Sequence, residues 1–340
     1  MRRRLSQSEV EPKSKNNYFG KSNLEFISTG CVNFDCVLGG GWPLGRIANL
    51  VGDKSTGKTL CAIEACANFA RKFPDGHIWY REAEAAFDQE YAESLGLPVD
   101  KVDFGKDGVG TQWETIEQIH DDLKAAVAQG KASGEPGLYI IDSLDAISSV
   151  AELGREMTEG SYGMEKQKQL GQMFRRLTQG MSRSRIHFLI ISQVRENIGV
   201  AFGNKYRRSG GKALDFYASQ VVYLSHLKTL YKTVNKVKRA TGVLVKVKCT
   251  KNKIGLPFRE CEFSIRFGYG IDELAAAMEW LDQAGRAKEL LNGSKLGDYL
   301  AESDRLDDVE YRRRMRDVRK LVRRAWREVD EQFAPSRRKY

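Results

Sequence analysis

The sequence lacks an uninterrupted apolar stretch of the roughly 18 residues that a transmembrane helix requires. Its basic first residues are not followed by the apolar run of a secretory signal. The six cysteines form no Cys-x-x-Cys pair and the four histidines are isolated, which argues against a structural zinc site and a disulfide scaffold. Because reduced cysteines are typical of the cytoplasm, we expect a cytoplasmic protein without a membrane partner.

Internal repeats are also absent, and the positive charge is concentrated at the two ends of the chain. The sequence carries 55 Lys and Arg against 45 Asp and Glu, a net charge of +10. Residues 1–21 hold a surplus of four positive charges and residues 311–340 a surplus of eight, so the middle of the chain is slightly acidic. Basic ends favour a polyanion as a partner, although the same charges could serve solubility alone.

The middle of the chain alternates short apolar strands with amphipathic helices, and this spacing is typical of βαβ units. It predicts an α/β fold with a mainly parallel sheet and helices on both faces. The predicted strands are 47–51, 77–80, 138–141 and 186–192, and the predicted helices are Lys58–Lys72, Trp113–Ala128 and Gly163–Met181.

After residue 211 the pattern changes to extended strands over 220–227, 242–250 and 258–267, which predicts an antiparallel extension of the sheet. The first two flank a lysine-rich connection, and the chain is predicted to be helical from residue 272. We expect a flexible basic arm over 1–25, a core over 26–270 and a small helical C-terminal domain over 271–340.

A phosphate-binding pattern, G-x-x-x-x-G-K-[ST], lies between the first predicted strand and the helix that follows it. Glycines let backbone N–H groups surround phosphate oxygens at the positive end of that helix. Lys58 is expected to reach the β- and γ-phosphates and Thr59 to bind Mg²⁺. The predicted nucleoside triphosphate site is Gly52, Asp53, Lys54, Ser55, Thr56, Gly57, Lys58 and Thr59.

Acidic residues follow two other predicted strands, at the sheet edge where the phosphates are expected. Asp142 ends a buried strand and is predicted to be the second magnesium ligand. Glu84 is our candidate for the general base of hydrolysis, with Glu82 as the alternative. From the pattern alone, two solvated loop carboxylates are the ordinary interpretation of this pair.

Residues 195–212 interleave cations, aromatic side chains and glycines without periodicity, which favours a nucleic-acid-binding loop over a solvated loop. Cations can hold phosphates, while Ile198, Phe202 or Tyr206 could stack on bases or wedge beside them. The predicted DNA-binding residues of this segment are Arg195, Ile198, Phe202, Lys205, Arg207, Arg208, Gly210, Gly211 and Lys212.

Short strings along residues 26–270 resemble those of bacterial RecA recombinases and occur in the same order. Beside residues 52–59 they are Ile27-Ser28-Thr29-Gly30, Leu44-Gly45-Arg46-Ile47, Glu82-Ala83-Glu84, Ile141-Asp142-Ser143, Ile198-Gly199-Val200, Phe202-Gly203-Asn204, Phe216-Tyr217-Ala218-Ser219, Lys251-Asn252-Lys253-Ile254 and Pro257-Phe258. The resemblance implies a RecA-like ATPase core that uses ATP and Mg²⁺.

The resemblance also implies roles for single residues. Glu84 matches the catalytic glutamate, and Asp88 and Tyr91 match residues that contact adenine and stack on it. Gln193 matches the glutamine that senses the γ-phosphate and relays the nucleotide state to a DNA-binding loop.

Lys251 and Lys253 match lysines that reach across a subunit interface to the ATP of the neighbouring subunit. A cation delivered in this way stabilises transition-state charge only when subunits stack, so hydrolysis depends on assembly. Without the resemblance, both would be taken for exposed lysines at a strand edge.

Two further segments match DNA-facing positions of the family. Residues 195–212 match the second DNA loop, and residues 152–163, with Arg155, Met157 and Tyr162, match the first. Lys168 and Arg175 are seven residues apart and therefore on one helical face, for which a solvated face is the alternative.

The implied function is an ATP-dependent recombinase that forms helical filaments on single-stranded DNA, pairs them with duplex DNA and exchanges strands. Its expected partners are both forms of DNA, further copies of itself, and single-strand-binding or mediator proteins. It is expected in the cytoplasm of a bacterium, or of the host if a phage encodes it. The alternatives are a ring-forming, helicase-like motor and an ATP-switched DNA-coating or regulatory protein.

The C-terminal part departs from the family, whose members typically end in an acidic tail. Residues 311–327 carry nine cations and one acid, with an apolar stripe formed by Met315, Val318, Val322 and Trp326. We expect a helix packed on the C-terminal domain, with its basic face toward duplex DNA. A basic helix on a membrane surface is the alternative.

Overall fold

A large mixed sheet forms the centre of the computed structural model, which describes residues 24–84, 87–106, 108, 113–154, 163–196, 206–208 and 211–337. The strands of the protein are β1 Phe26–Ile27, β2 Trp42–Pro43, β3 Ile47–Gly52, β4 His77–Glu82, β5 Val102–Asp103, β6 Gly137–Asp142, β7 Ile186–Glu196, β8 Tyr206–Arg208, β9 Gln220–Val234, β10 Val237–Asn252, β11 Glu260–Arg266 and β12 Gly270–Ile271. The helices are α1 Val32–Leu38, α2 Lys58–Lys72, α3 Gln89–Ser94, α4 Ile116–Ser133, α5 Val150–Leu153, α6 Gly163–Ser184, α7 Gly211–Tyr217, α8 Glu273–Gln283, α9 Lys288–Leu291, α10 Leu296–Ser303 and α11 Asp308–Gln332.

The order of strands across the sheet is β12-β11-β10-β9-β3-β7-β6-β4-β5, with β8 paired to the end of β7. Strands from β9 through β5 are parallel to their neighbours on this path, whereas β9 to β12 form antiparallel pairs. The predicted α/β fold with a parallel centre and an antiparallel extension is therefore confirmed. Strands β1 and β2 form a separate small pair.

Helices cover both faces of the parallel strands. Because successive side chains of a strand point to opposite faces, Leu50 of β3 contacts the core built with α1 and α2. Its neighbour Val51 contacts the core built with α4, α6 and α7. This burial on both faces explains why the central strands are almost uninterrupted apolar runs in the sequence.

Helix α4 begins at Ile116, later than the predicted start at Trp113. The hydroxyl of Thr115 accepts a hydrogen bond of 3.2 Å from the backbone N–H of Gln118. The Gln118 side chain in turn accepts one of 3.0 Å from the backbone N–H of Thr115. This reciprocal pair satisfies amides that have no partner inside the helix, and so fixes where the helix begins.

The predicted lysine-rich connection over 228–239 is wrong, because β9 and β10 continue through it as one long hairpin. The strands meet at Asn235 and Lys236, whose φ angles are +49° and +66°. Two consecutive residues with positive φ form a tight turn that matches the twist of the strands it joins. Asn tolerates this conformation better than most side chains do.

Helices α8 to α11 pack around a third apolar core that also contains Val32 of α1. Met315, Val318 and Val322 of α11 are buried there. The ring of Trp326 stacks on Trp280 with centroids 4.9 Å apart. The apolar stripe of α11 thus packs against protein, and within the described residues no helix is both long and apolar enough to span a membrane.

Candidate nucleotide-binding site

The phosphate-binding loop joins β3 to α2, and both glycines of its pattern are required on steric grounds. At Gly52, a Cβ atom would lie 2.5 Å from the hydroxyl oxygen of Thr56. At Gly57, where φ is +83°, it would lie 2.3 Å from a methyl group of Ile265. Glycine alone avoids these clashes, and the first turn of α2 that follows provides N–H groups without intrahelical partners.

Lys58 lies at the start of α2 and folds back over the loop. Its Nζ donates a hydrogen bond of 2.7 Å to the carbonyl oxygen of Asp53, which also accepts one of 2.9 Å from the Thr56 hydroxyl. Desolvation lowers the pKa of the Lys58 ammonium, while the nearby carboxylates of Asp142 and Glu84 act in the opposite direction. A cation is thus held between the loop and two acidic residues of the neighbouring strands.

Asp142, the last residue of β6, is 6% exposed and faces the start of α2. The hydroxyl of Tyr80 donates a hydrogen bond of 2.8 Å to its Oδ2. Burial raises the pKa of Asp142 to about 6, although the hydrogen bonds from Tyr80 and Thr59 lower it. A buried carboxyl that contacts a threonine hydroxyl fits Mg²⁺, which prefers hard oxygen ligands and compensates the desolvated charge.

The two glutamates near the end of β4 have different surroundings. Glu84 Oε1 accepts hydrogen bonds from the hydroxyl of Ser143 and, at 2.7 Å, from Nε2 of Gln193. Glu82 is buried and accepts a hydrogen bond from the backbone N–H of Phe87. The structure thus places Glu84 beside the residue that follows Asp142, whereas the carboxylate of Glu82 fixes the start of the segment before α3.

Gln193 is held at both its backbone and its side chain. Its backbone N–H donates a hydrogen bond of 2.6 Å to Oδ2 of Asp145, while its amide reaches Glu84. It lies inside β7 rather than after its end, because this strand continues to Glu196 and pairs there with β8. One strand therefore connects the glutamate to the segment predicted to bind DNA.

Asp88 and Tyr91, the residues expected at adenine, lie at the start of α3. The carboxylate of Asp88 accepts a hydrogen bond of 2.9 Å from the backbone N–H of Tyr91 and so caps this helix. Burial raises the pKa of the Tyr91 hydroxyl, with smaller contributions from the carboxylates of Glu64 and Asp88. The ring is half-buried and is backed by the core around α2.

Lys251 and Lys253, expected at a neighbour's nucleotide, bond within this chain to the C-terminal end of α7. The Nζ of Lys251 donates to the carbonyl oxygens of Asp215 and Phe216, the latter at 3.1 Å. The Nζ of Lys253 donates to the same oxygen of Phe216 at 3.2 Å. Carbonyl groups at a helix end attract cations, so both lysines reinforce this terminus.

The residues predicted to bind DNA fall in several places. Lys168 and Arg175 are exposed on α6, as the prediction of a common outer face requires. Arg195 belongs to β7, Arg207 and Arg208 to the β8 strand paired with it, and Gly211 and Lys212 begin α7. Outside the described residues lie Arg155, Met157, Tyr162, Ile198, Phe202, Lys205 and Gly210.

Sequence reasoning missed three side chains that complete this site. Tyr80 lies inside β4 and carries no local signal, since buried strands commonly contain tyrosine. Ser143 immediately follows Asp142, so the rule that predicted the aspartate could also have indicated the serine. Asp145 contacts Gln193 across 48 residues of chain, a pairing that no local pattern contains.

These elements define the class of the protein. Parallel central strands, a phosphate-binding loop between β3 and α2, and an acidic residue ending β6 are the features of an α/β phosphate-loop protein. The chain belongs to the RecA family, since the sequence model of the RecA N-terminal domain matches residues 14–272.

Known proteins named Protein RecA are similar over most of this chain. Identity to that of Synechococcus sp. strain CC9605 is 33% over 265 residues, covering 78% of this chain and 66% of the relative. For Clostridium acetobutylicum it is 34% over 250 residues, covering 73% and 67%. For Nostoc punctiforme it is 33% over 265 residues, covering 78% and 69%. The chain thus spans just under two thirds of the Synechococcus relative's length.

Proposed function

We propose that this protein is an ATP- and Mg²⁺-dependent DNA recombinase. It assembles as a helical filament on single-stranded DNA, pairs that strand with homologous duplex DNA, exchanges strands and hydrolyses ATP when bound to DNA. Membership of the RecA family supports this reading. We also propose a cytoplasmic location and the division into an arm over 1–25, a core over 26–270 and a C-terminal domain over 271–340.

The phosphate-binding loop would hold the triphosphate through its backbone N–H groups, with Lys58 neutralising the terminal phosphates. Thr59 and deprotonated Asp142 would hold Mg²⁺, which supplies charge neutralisation at the transferring phosphate. Asp88 and Tyr91 would position the base. The buried hydroxyl of Tyr80 keeps the Asp142 carboxyl oriented toward the start of α2.

The observation that carries the proposal is the hydrogen bond of 2.7 Å between Gln193 Nε2 and Glu84 Oε1. As general base, Glu84 would take a proton from water that attacks the terminal phosphate. While Gln193 and Ser143 donate to Oε1 of this carboxylate, that oxygen is occupied and cannot accept a proton from water. When the Gln193 amide turns to the phosphate, Glu84 is released to act.

Movement of Gln193 would be passed along β7 to Arg195 and the predicted DNA loop at 195–212. In a filament, Lys251 and Lys253 would exchange the carbonyl groups of α7 for the phosphates of the adjoining subunit. Both steps make hydrolysis depend on DNA and on assembly.

Helix α11 offers a surface for duplex DNA, opposite to its buried stripe. Five of its exposed cations recur at intervals of three and four residues and therefore share one face. Within the described residues, none of the five forms an ion pair with an acid. This surface, called the α11 stripe below, comprises Arg313, Arg316, Lys320, Arg323 and Arg327.

The test is ATP hydrolysis with and without single-stranded DNA, with electron microscopy of the same samples. Hydrolysis stimulated by DNA together with helical filaments supports the proposal and leads to a strand-exchange assay. Hexameric rings would point to the helicase-like motor. Filaments on DNA with no stimulated hydrolysis would point to an ATP-switched coating protein.

A further inference from the structure

The hairpin of β9 and β10 extends beyond the rest of the sheet as a free two-stranded ribbon. On one side, β9 pairs with β3 from Gln220 to Leu224. On the other side, the pairing of β10 with β11 begins at Gly242. Gly242 pairs with Leu230 of β9, so among the described residues only 231–240, called the basic ribbon here, have no third strand beside them. At about 3.3 Å per residue, each strand of the basic ribbon is roughly 13 Å long.

The charge of this region is entirely of one sign. Residues 216–259 contain ten Lys or Arg and no Asp or Glu. Four of these cations lie near the tip, are exposed, and form no ion pair among the residues that the structure describes. They are Lys232, Lys236, Lys238 and Arg239.

The tip cations are distributed over both faces of the ribbon and its end. Lys232 pairs directly across from Arg239, so these two side chains share one face. Lys238 is on the opposite face, where its Nζ lies 4.5 Å from the centre of the Tyr231 ring. Lys236 occupies the turn. An acidic protein or membrane surface would meet cations on one face of such a ribbon and leave the others unused.

Duplex DNA satisfies all of these cations together, because phosphates line both walls of its grooves. The major groove is about 12 Å wide and admits a two-stranded ribbon whose strands are about 4.8 Å apart. Lys and Arg on both faces can then reach phosphates on the two walls. Tyr231, 57% exposed, holds the Lys238 ammonium near the ribbon and so reduces the entropy lost on binding.

We propose that the tip of the basic ribbon is a duplex-DNA-binding arm that enters the major groove and contacts phosphates through Lys232, Lys236, Lys238 and Arg239. This inference rests on the proposed function, since it assumes that duplex DNA is a partner. It adds a surface distinct from both the α11 stripe and the nucleotide site. The contacts are to the DNA backbone, so the arm binds duplexes of different sequence equally well.

The experiment measures duplex affinity by fluorescence anisotropy over a range of salt concentrations, using the full chain with all four tip cations changed to Gln. Each lost phosphate contact lowers the slope of log affinity against log salt by about 0.9, so a decrease of about three to four is expected. Affinity should fall about tenfold or more at low salt, equally for two duplexes of unrelated sequence. A variant in which Lys232, Lys236 and Lys238 are all changed to Arg should retain the salt slope of the original protein.

The matched control also removes four positive charges, but from α4 and from residues near β5, the strand at the opposite edge of the sheet. Lys101, Lys106, Lys124 and Lys131 are exposed there, and changing all four to Gln should leave the slope unchanged. Thermal unfolding should show all variants folded, since the ribbon contributes to none of the three apolar cores.

The outcomes separate this inference from the proposed function. If the ribbon and control variants show the same slope as the original protein, the inference of a duplex-binding arm is wrong, although the proposed binding of DNA by the protein is not contradicted. If the ribbon variant binds duplex normally but no longer assembles, the ribbon contacts a second copy of the chain and the inference is overturned. If the unaltered protein binds neither duplex nor single-stranded DNA, the proposed function fails together with the arm.

Discussion

The amide of Gln193 donates a hydrogen bond of 2.7 Å to the carboxylate of Glu84, across 109 residues of chain. Gln193 belongs to β7 and Glu84 follows the end of β4. Both of these strands are neighbours of β6 in the sheet. Parallel strands bring their C-terminal ends to one edge, so this contact follows from the strand order. It joins the candidate base of hydrolysis to the strand that leads into the predicted DNA-binding segment.

Changing Glu84 to Gln should lower DNA-stimulated hydrolysis by about 10²–10⁴-fold while preserving ATP-dependent filaments, because the amide cannot accept the proton from water. Steady-state hydrolysis and electron microscopy check this. The matched control is Glu82→Gln, which weakens a hydrogen bond to Phe87 but should leave the turnover number nearly unchanged. A larger loss of turnover from Glu82→Gln would assign the base to that residue.

Changing Lys58 to Ala should abolish ATP-dependent filaments and lower hydrolysis by about 10²–10³-fold, because the cation nearest the phosphates is lost. Lys72→Ala is the control, since this lysine is at the other end of the same helix and donates to the carbonyl of Phe26. Fluorescent-nucleotide binding and microscopy report the result. Normal assembly of the Lys58 variant would remove the argument from the phosphate-binding loop.

Gln193→Ala should remove the stimulation of hydrolysis by single-stranded DNA and raise the basal rate, because Glu84 is released from the Gln193 amide and loses its link to β7. The ratio of rates with and without DNA is the quantity to measure. Gln89→Ala provides the control, since the amide of Gln89 donates a hydrogen bond of 3.1 Å to exposed Glu93. Stimulation that persists in the Gln193 variant would contradict the proposed coupling.

Changing the five cations of the α11 stripe to Gln should weaken duplex binding and lower its salt slope by about four to five, with ATP hydrolysis retained. Deleting residues 311–340 is a poorer experiment, because it also exposes the core that buries Met315, Val318 and Val322. As a comparison, Arg319→Gln should mainly lower stability, since Arg319 forms an ion pair with Glu273. An unchanged slope after neutralising the stripe would assign it to solubility.

Glu64 should make the stability of the protein depend on pH. Its Oε1 lies 3.5 Å from the backbone nitrogen of Ile271, and burial raises its pKa from 4.5 to about 7, with Glu273 also raising and Arg71 lowering it. A raised carboxyl pKa contributes stability that is present below pH 4.5 and lost as the pH rises through 7. The loss is at most about 3 kcal/mol.

Glu64→Gln should therefore be more stable than the original protein at pH 8, and the difference should vanish near pH 4. Urea unfolding at both pH values measures it. Other buried carboxyls such as Asp35, whose pKa is raised to about 6, act equally in both proteins and cancel. A stability difference that is the same at every pH would show that Glu64 acts through packing.

The α/β fold was predictable because its signals are local. Apolar runs ending in Gly52 and Asp142 marked parallel strands, and the spacing of residues 58–72 marked α2, whose bounds were predicted correctly. The hairpin was predicted only in part. Its tip is polar and lysine-rich like a loop, and the continued pairing becomes evident only when both strands are aligned. The roles assigned to site residues stay predictions.

The sequence by itself determined the phosphate-binding loop, the order of strands and helices, and the one-sided charge of residues 216–259, because each depends on neighbours in the chain. Only the tertiary structure decided that Glu84 rather than Glu82 meets Gln193, and which arginines of α11 are ion-paired. Such contacts depend on strand register and helix packing, which bring together side chains far apart in sequence. Among the described residues, the same packing left the four tip cations of the ribbon without an ion pair, since the described strands beside the hairpin end before its tip.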